Sequence, residues 1–284
     1  MHLSVVIPAR NEEQTLPRQL DALLAQECDR DWEIIVVDNG STDRTAEVVA
    51  AAKEQDARVR LVSETTPGLC YARNAGIRAA RAAAVAVCDA DDLVADGWVE
   101  AMAAALTDHE FVTGPQEVDR LNEAWLAASR GSNDVTVAPT FHSIFRYPNG
   151  NNFGLRKDVI ARVGEFDQAY IGAEDVEFGL RAWTAGLELH YEPRAVVHYA
   201  FRSAPGELWR QGMAYGRHRP ALAQVLAQGN LQRPHRFAGW RSWVWLIVNA
   251  WRLATPHGRA RWAWVAGNRI GHLLGSIRHR TILL

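Results

Sequence analysis

The stretch that decides the fold is residues 82–92, AAAVAVCDADD, in which seven apolar residues from Ala82 to Cys88 run into Asp89, Asp91 and Asp92. An apolar run without alternation fits a strand buried on both faces, as in a parallel sheet. One Asp suffices for a turn or a helix cap. Three at the mouth of one buried strand call for a further reason.

Working outward, LSVVIP (3–8), WEIIVV (32–37), RVRLVS (58–63) and AVAVC (84–88) read as strands of the same kind. Leu16, Leu20, Leu23 and Leu24 fall on one helical face. A second helix is expected after Ser41-Thr42-Asp43 and a third over roughly 69–82. The pattern is βαβαβαβ, an open doubly wound α/β sheet, whose ligands bind beyond the carboxyl ends of the strands. Those ends carry PARNEE (8–13), DNGSTD (38–43) and DADD (89–92). No GxGxxG follows the first strand and no GxxxxGK[ST] occurs, so a glycine-rich cradle for a pyrophosphate is not expected. Asp89 and Asp91 supply another way to hold phosphates. Carboxylates suit Mn²⁺ or Mg²⁺, which bridge to a diphosphate and stabilise a leaving group. On its own the DxD pattern is weak, and a plain acidic turn competes with it.

Composition limits the classes. With 48% apolar and 23% charged residues among 284, the chain is globular rather than disordered. Cys28, Cys70 and Cys88 form no CxxC pair, which fits a reducing compartment. The N-terminus lacks the basic, then apolar, order of a signal peptide, and WVWLIVNAW (243–251) is too short to span a bilayer. The expectation is a cytoplasmic protein, soluble or peripheral on the inner face of the membrane. Net charge is −2, but beyond Glu207 there are twelve arginines and no acid, against −14 for residues 1–207. Seven of the eleven tryptophans also lie beyond Glu207. For this tail, with helices expected at about 236–254 and 258–280, two readings compete: packing within the molecule with homodimer formation, and attachment to an anionic membrane surface through Trp and Arg. Nucleic-acid binding is disfavoured, because the aromatic residues sit in apolar helical runs rather than in a nucleic-acid motif.

VVIPARNEEQTL (5–16), EIIVVDNGSTDRT (33–45), GLCYARNAGIRAA (68–80) and VAVCDADD (85–92), followed by GNNFGLRKDVIARVGEFD (150–167), GAEDVEFGLRAWTAGLEL (172–189) and YEPRAVVHY (191–199), together resemble glycosyltransferase family 2. The resemblance covers about residues 3–200 and implies a GT-A type, mostly parallel α/β sheet. It divides the chain into a catalytic domain at 1–204, with a nucleotide-binding half (1–95) and an acceptor half (96–204), and an Arg/Trp-rich helical extension at 205–284. It further implies an inverting transferase using a nucleoside-diphosphate sugar and Mn²⁺ or Mg²⁺. Pro8, Ala9 and Glu12 would line the nucleoside pocket, and Asp38 would recognise the base. Arg73 would stand near the base or diphosphate, and Asp89 by the ribose or donor sugar. Asp91 would be the metal ligand and His198 would complete the shell. Glu174 would belong to the acceptor motif and Asp175 would be the general base. The QxxRW motif of processive synthases is missing, the nearest stretch being LWRQGMAYG (208–216), so transfer of a single sugar to an acceptor hydroxyl, soluble or lipid-linked, is expected.

Each residue also has a structural reading. Asp175 could cap a helix, and Glu177 with Arg181 form an i,i+4 pair. His198 could be a core residue, Asp38 an Asx turn, and Arg73 a partner for the acids after the fourth strand; Asp92 has no assigned role. Gly150–Gly154 is read as a loop near the donor sugar or a turn into a strand, and the polar stretch 129–149 as a mobile acceptor-side loop or lid. Two other functions remain open. A sugar-1-phosphate nucleotidylyltransferase should carry a basic glycine-rich loop after the first strand, which ARNEE does not supply. A non-catalytic sugar-nucleotide-binding, membrane-associated protein would have no need of Asp91, Asp175 and His198 together.

Overall fold

The computed structural model describes residues 1–130, 137–229, 231, 235 and 239–281. The first half alternates as its sequence requires: β1 (Leu3–Ala9), α1 (Leu16–Leu24), β2 (Trp32–Asp38), α2 (Thr45–Gln55), β3 (Val59–Ser63), α3 (Leu69–Ala79) and β4 (Ala84–Cys88). Every residue of β1 is buried, which explains why its sequence does not alternate. Next come β5 (Leu93–Val94), α4 (Trp98–Asp108), β6 (Phe111–Thr113), β7 (Gln116–Glu117), α5 (Ala124–Arg130), β8 (Thr140–Phe141), β9 (Phe145–Arg146), β10 (Asn152–Arg156), α6 (Lys157–Val163), α7 (Glu174–Thr184), β11 (His190–Tyr191) and β12 (Val197–His198).

The main sheet has seven strands in the order β11-β6-β10-β4-β1-β2-β3. β1 pairs in parallel with β2 and β4, β2 with β3, and β6 with β11, while β10 runs antiparallel between β4 and β6. Residues 96–204 thus extend the main sheet that residues 1–95 begin, adding β6, β10 and β11 to it. Two buried apolar layers cover the faces, one including Leu16, Leu20, Trp98 and Met102, the other Ile77, Phe111, Phe153 and Phe178. A smaller sheet, β5-β12-β7, adjoins the acidic loop after β4. Asn152 ties the two sheets: its Nδ2 donates to the carbonyls of Pro115 (2.9 Å) and Ala195 (2.8 Å), and its Oδ1 accepts from Trp98 Nε1 (2.9 Å).

Of the stretch read as a lid, residues 131–136 lie outside the described residues. The part at 140–146 is the β8–β9 hairpin, anchored where Phe141 and Phe145 pack with Val176 and Leu180 of α7 and Leu222 and Leu226 of the extension. His142 and Ser143 form its turn with positive φ, 49° and 60°.

The extension contains α8 (Pro205–Arg217), α9 (Arg219–Gln228), α10 (Trp240–Val248) and α11 (Pro256–Arg278). Of the helix expected at 236–254, residues 236–238 lie outside the described residues, and Ala250–Ala254 forms a separate 3₁₀ turn. α8 and α11 meet through glycines. A Cβ at Gly271 would lie 2.4 Å from the Met213 carbonyl oxygen, and one at Gly216 2.2 Å from that of Asn268. Only hydrogen fits there, so the two backbones approach more closely than side chains would permit. α10 buries Leu246 but exposes Trp240, Val244, Ile247 and Val248, spaced on one helical face, and Trp251 is exposed in the 3₁₀ turn that follows. Trp243, Trp262 and Trp264 are half-buried, and Trp262 Nε1 donates to the Leu246 carbonyl (3.1 Å). Among the described residues, no helix is long and apolar enough to cross a membrane.

Candidate active site

The carboxyl ends of β1, β2 and β4 face one crevice, and the loops leaving them are locked together. Past β1, the Asn11 N–H donates to Ser41 Oγ (3.0 Å) and that of Glu12 to Thr45 Oγ1 (2.8 Å), while Asn11 Oδ1 accepts from the Thr42 N–H (2.8 Å). Pro8 and Ala9 close β1 opposite Val37 and Asp38. Asp38 Oδ1 accepts from the Ser41 N–H (3.0 Å), an Asx turn that leaves Oδ2 without a hydrogen-bond partner among the described residues. Asn39, buried, fastens this loop to Glu64, Thr66 and Gly68. Burial raises the Glu12 carboxyl, and the charge of Asp91 adds to this.

After β4, carboxylate oxygens of Asp89, Asp91 and Asp92 lie within 4.8 Å of one another. Asp92 is fully buried. Its Oδ1 accepts from the Ala200 N–H (2.9 Å) and its Oδ2 from Asn151 Nδ2, joining the acidic loop to the turn before β10 and to the chain after β12. Burial, then the charges of Asp91 and Asp89, push its carboxyl well above the usual range. Gln19 of α1 holds the same loop, donating to the Asp89 carbonyl (3.1 Å) and accepting from the Val94 N–H (3.0 Å). Asp89 is raised to about 6 by burial, against the pull of Arg73. Asp91 is raised by burial while Arg202 and Arg18 oppose the shift. Three neighbouring carboxyls with raised affinity for positive charge form a set that fits a divalent cation. Asp89 and Asp91 are the members not fully occupied by protein donors.

Arg73 connects this cluster to the second half. Its side chain is 2% exposed and pairs with Asp89 (3.5 Å) and Glu174 (3.1 Å). Its Nε is buried with no hydrogen-bond partner among the described residues. Glu174 opens α7 and also accepts from the Gly172 N–H (2.5 Å), so both its oxygens are engaged. Asp175 follows on the next position. A Cβ at Gly150 would lie 3.3 Å from Asp175 Oδ2 and 3.5 Å from Arg73 Nη2, so the bare Gly150 backbone packs against both side chains. Burial, then the charge of Glu174, raises the Asp175 carboxyl to about 7.

The structure therefore brings together Arg73, Asp89, Asp91, Glu174 and Asp175, with Pro8, Ala9, Glu12 and Asp38 along the neighbouring loops. It does not bring His198 into the carboxylate group. His198 is in β12, with Nδ1 2.6 Å from Glu117 Oε2 and Nε2 3.0 Å from Arg120 Nη1. Sequence reasoning missed Gln19 and took Asn151 only as part of the Gly150–Gly154 loop near the donor sugar or turn into a strand. Gln19 left a signal, a polar residue on the leucine face of α1.

A parallel nucleotide-type sheet interrupted by one antiparallel strand, with acids at the end of β4 facing an acid at the start of a later helix, defines the GT-A fold. Similarity to known proteins agrees. The glycosyl transferase family 2 model matches residues 4–161, and the glycosyl transferase family group 2 model matches 84–274, running well into the extension. The chain belongs to glycosyltransferase family 2. It is 26% identical over 219 residues to the uncharacterized glycosyltransferase EpsJ of Bacillus subtilis, matching 72% of this chain and 62% of that one. It is 29% identical over 211 residues to the pre-mycofactocin glycosyltransferase of Mycobacterium tuberculosis, matching 71% of this chain and 43% of that one. The chain thus spans about half the length of these curated relatives. Among solved structures, the Pyrobaculum calidifontis mannosyltransferase PcManGT in complex with GDP-Man and Mn²⁺ superposes with a TM-score of 0.67 at 20% identity, covering 96% of this chain and 87% of that one. S. aureus TarS 1–349 in complex with UDP-GlcNAc gives 0.56 at 17% identity, covering 99% and 93%.

Proposed function

We propose that this protein transfers a single sugar from a nucleoside-diphosphate sugar to an acceptor hydroxyl by a metal-dependent, inverting displacement. One observation carries the reading: the buried Arg73 pairs with Asp89 of the β4 loop and with Glu174 beside Asp175, fixing a donor-side acid and the base around one guanidinium. Pro8, Ala9, Glu12 and Asp38 line the nucleoside side, and Asp91 with Asp89 would hold Mn²⁺ or Mg²⁺. When bound, the cation supplies positive charge to the diphosphate leaving group. Asp175 accepts the proton of the acceptor hydroxyl while its oxygen forms the new bond to the anomeric carbon and the bond from that carbon to the diphosphate oxygen breaks. A carboxyl raised to about 7 is matched to this task near neutral pH. Single displacement on an α-linked donor gives a β-linked product. Glu174 serves the acceptor side by anchoring Arg73. A ligand role for His198 requires Nε2 to be released from Arg120.

The GDP-Man and UDP-GlcNAc held by the two structural relatives support a sugar-nucleotide donor, and the Mn²⁺ of the first supports a divalent ion. For the extension, the exposed row of Trp240, Val244, Ile247, Val248 and Trp251 beside a chain segment with no acid favours attachment to an anionic membrane surface, as a peripheral protein of the inner face. The glycine-tight α8–α11 seam equally satisfies the packing reading for its own part of the tail, and an isologous dimer on the α10 face is the remaining alternative.

The test is a panel of UDP-, dTDP- and GDP-sugars, without acceptor, with Mn²⁺ or with chelator. Metal-dependent hydrolysis of one base class, with the released sugar first appearing by NMR as the opposite anomer, is expected. Sugar-1-phosphate plus nucleoside triphosphate yielding pyrophosphate would favour the nucleotidylyltransferase reading instead. Binding without turnover of any donor would favour a non-catalytic protein.

A further inference from the structure

Arg219 of the extension stands beside the proposed base and Arg269 stands beside Arg219, neither with a carboxylate of its own. Arg219, the first residue of α9, places its Cζ 5.8 Å from the Phe141 ring centroid and reaches the Tyr147 hydroxyl and the charge of Asp175. Arg269 of α11 donates from Nη2 to Asn268 Oδ1 (2.6 Å) and lies 3.3 Å from His272 Nε2. Among the described residues, neither makes an ion pair with an acid within 4.0 Å. His142, at the turn of the β8–β9 hairpin, faces both, and its Nε2 is buried with no partner. Burial and then Arg219 lower Arg269 to about 10; burial and then the two arginines lower His142 to about 4. Beyond Glu207, in the first turn of α8, the extension supplies no acid to offset this. Holding two guanidiniums together costs free energy unless an anion joins them, and arginine pairs suit the geometry of a phosphate.

We propose that Arg219 and Arg269, with Tyr147 and His142, form a subsite for a phosphate group carried by the acceptor, on the side of Asp175 built by the hairpin and the extension. The word acceptor rests on the glycosyl-transfer reading; the anion site itself does not. In this arrangement the extension is part of the active site: it would hold the phosphate while the hydroxyl of the same molecule meets Asp175. The phosphate belongs either to a lipid-linked acceptor or to a soluble phosphate-bearing one.

The experiment titrates methyl phosphate and hexyl phosphate into the full chain by calorimetry, with Mn²⁺ and a saturating nucleoside diphosphate present to fill the donor side. Arg219→Gln and Arg269→Gln should each weaken binding roughly tenfold or more, the scale of a charge-assisted hydrogen bond. Arg219→Lys should recover part of it. Arg162→Gln, which removes the same charge from a surface pair with Glu110, should bind like wild type. Much tighter hexyl than methyl phosphate identifies a lipid-linked source, and equal affinities a soluble one. Circular dichroism and thermal melts check each fold; should Arg219→Gln fail to fold, Arg269→Gln and Arg219→Lys carry the test. Equal affinity across all variants, or no phosphate binding by wild type, overturns the subsite. Phosphate binding is read without turnover, so failure of donor hydrolysis counts against glycosyl transfer alone.

Discussion

Replacing Asp175 by Asn removes a carboxyl whose proton the fold holds tightly, so stability and catalysis should move in opposite directions. The folded carboxyl is raised from an ordinary 3.8 to about 7, chiefly by burial. An acid raised in the folded state stabilises the fold while protonated, and that contribution is lost as pH rises from about 4 through 7. Between pH 5 and the plateau above 7 the wild type therefore loses up to about two pK units, or about 3 kcal/mol at 1.36 kcal/mol each. Asp175 is only half-buried at the cleft, and water screening reduces this to about 1 kcal/mol. Asn does not titrate. The gap in melting temperature, Asp175→Asn minus wild type, should thus widen by about 2–4 °C between pH 5 and pH 8 in calorimetry of the ligand-free protein. In the same variant, transfer should fall on the order of 10²–10⁴-fold while donor affinity is retained, and wild-type kcat/KM should rise with pH through an apparent value near 7. A gap that does not change with pH, or donor affinity that falls as far as transfer does, would refute the reasoning.

Gly150→Ala should lower transfer by more than tenfold at a stability cost of about 1 kcal/mol or less, because the new methyl would press on Asp175 Oδ2 at 3.3 Å and Arg73 Nη2 at 3.5 Å; steady-state kinetics and thermal melts report the two effects separately. Asp92→Ala should destabilise by roughly 2–4 kcal/mol in urea unfolding, because Asn151 and the Ala200 N–H lose a buried acceptor. Ile247→Glu combined with Trp251→Glu should abolish co-sedimentation with anionic vesicles, wild-type binding should weaken at high salt, and neutral vesicles should bind neither protein.

The four parallel strands were legible because each is a continuous apolar run long enough to stand out, and the observed ends fall within a residue of the expected ones. β5, β7, β11 and β12 are two residues each, too short to carry a period. The antiparallel insertion of β10 between β4 and β6 is a long-range pairing that GNNFGLR does not encode locally. The acids at the ends of β1, β2 and β4 follow from the fold class, since such a sheet exposes those ends. That Arg73 partners an acid after β4, Asp89, was one of the readings of the sequence, but its contact with Glu174, 101 residues away, is one that no spacing reveals. Asp92 looked like a third member of an acidic motif, yet its oxygens are taken by Asn151 and Ala200, which makes it the brace of the loop. Arg219 was hidden for a similar reason. In the sequence it is one of twelve arginines in the tail, and only the packing of α9 against the hairpin and α7 brings it to Asp175.

The central claim is that Asp91, beside Asp89, holds a divalent ion against the donor diphosphate. Calorimetric titration of the nucleoside diphosphate selected by the donor panel, with and without Mn²⁺, tests it in wild type and in Asp91→Asn. Wild-type affinity should rise tenfold or more with Mn²⁺, while Asp91→Asn, folded to the same melting temperature, should bind with the metal-free affinity under both conditions. An Asp91→Asn protein that keeps the Mn²⁺-dependent gain, or a wild type that shows none, would contradict the account.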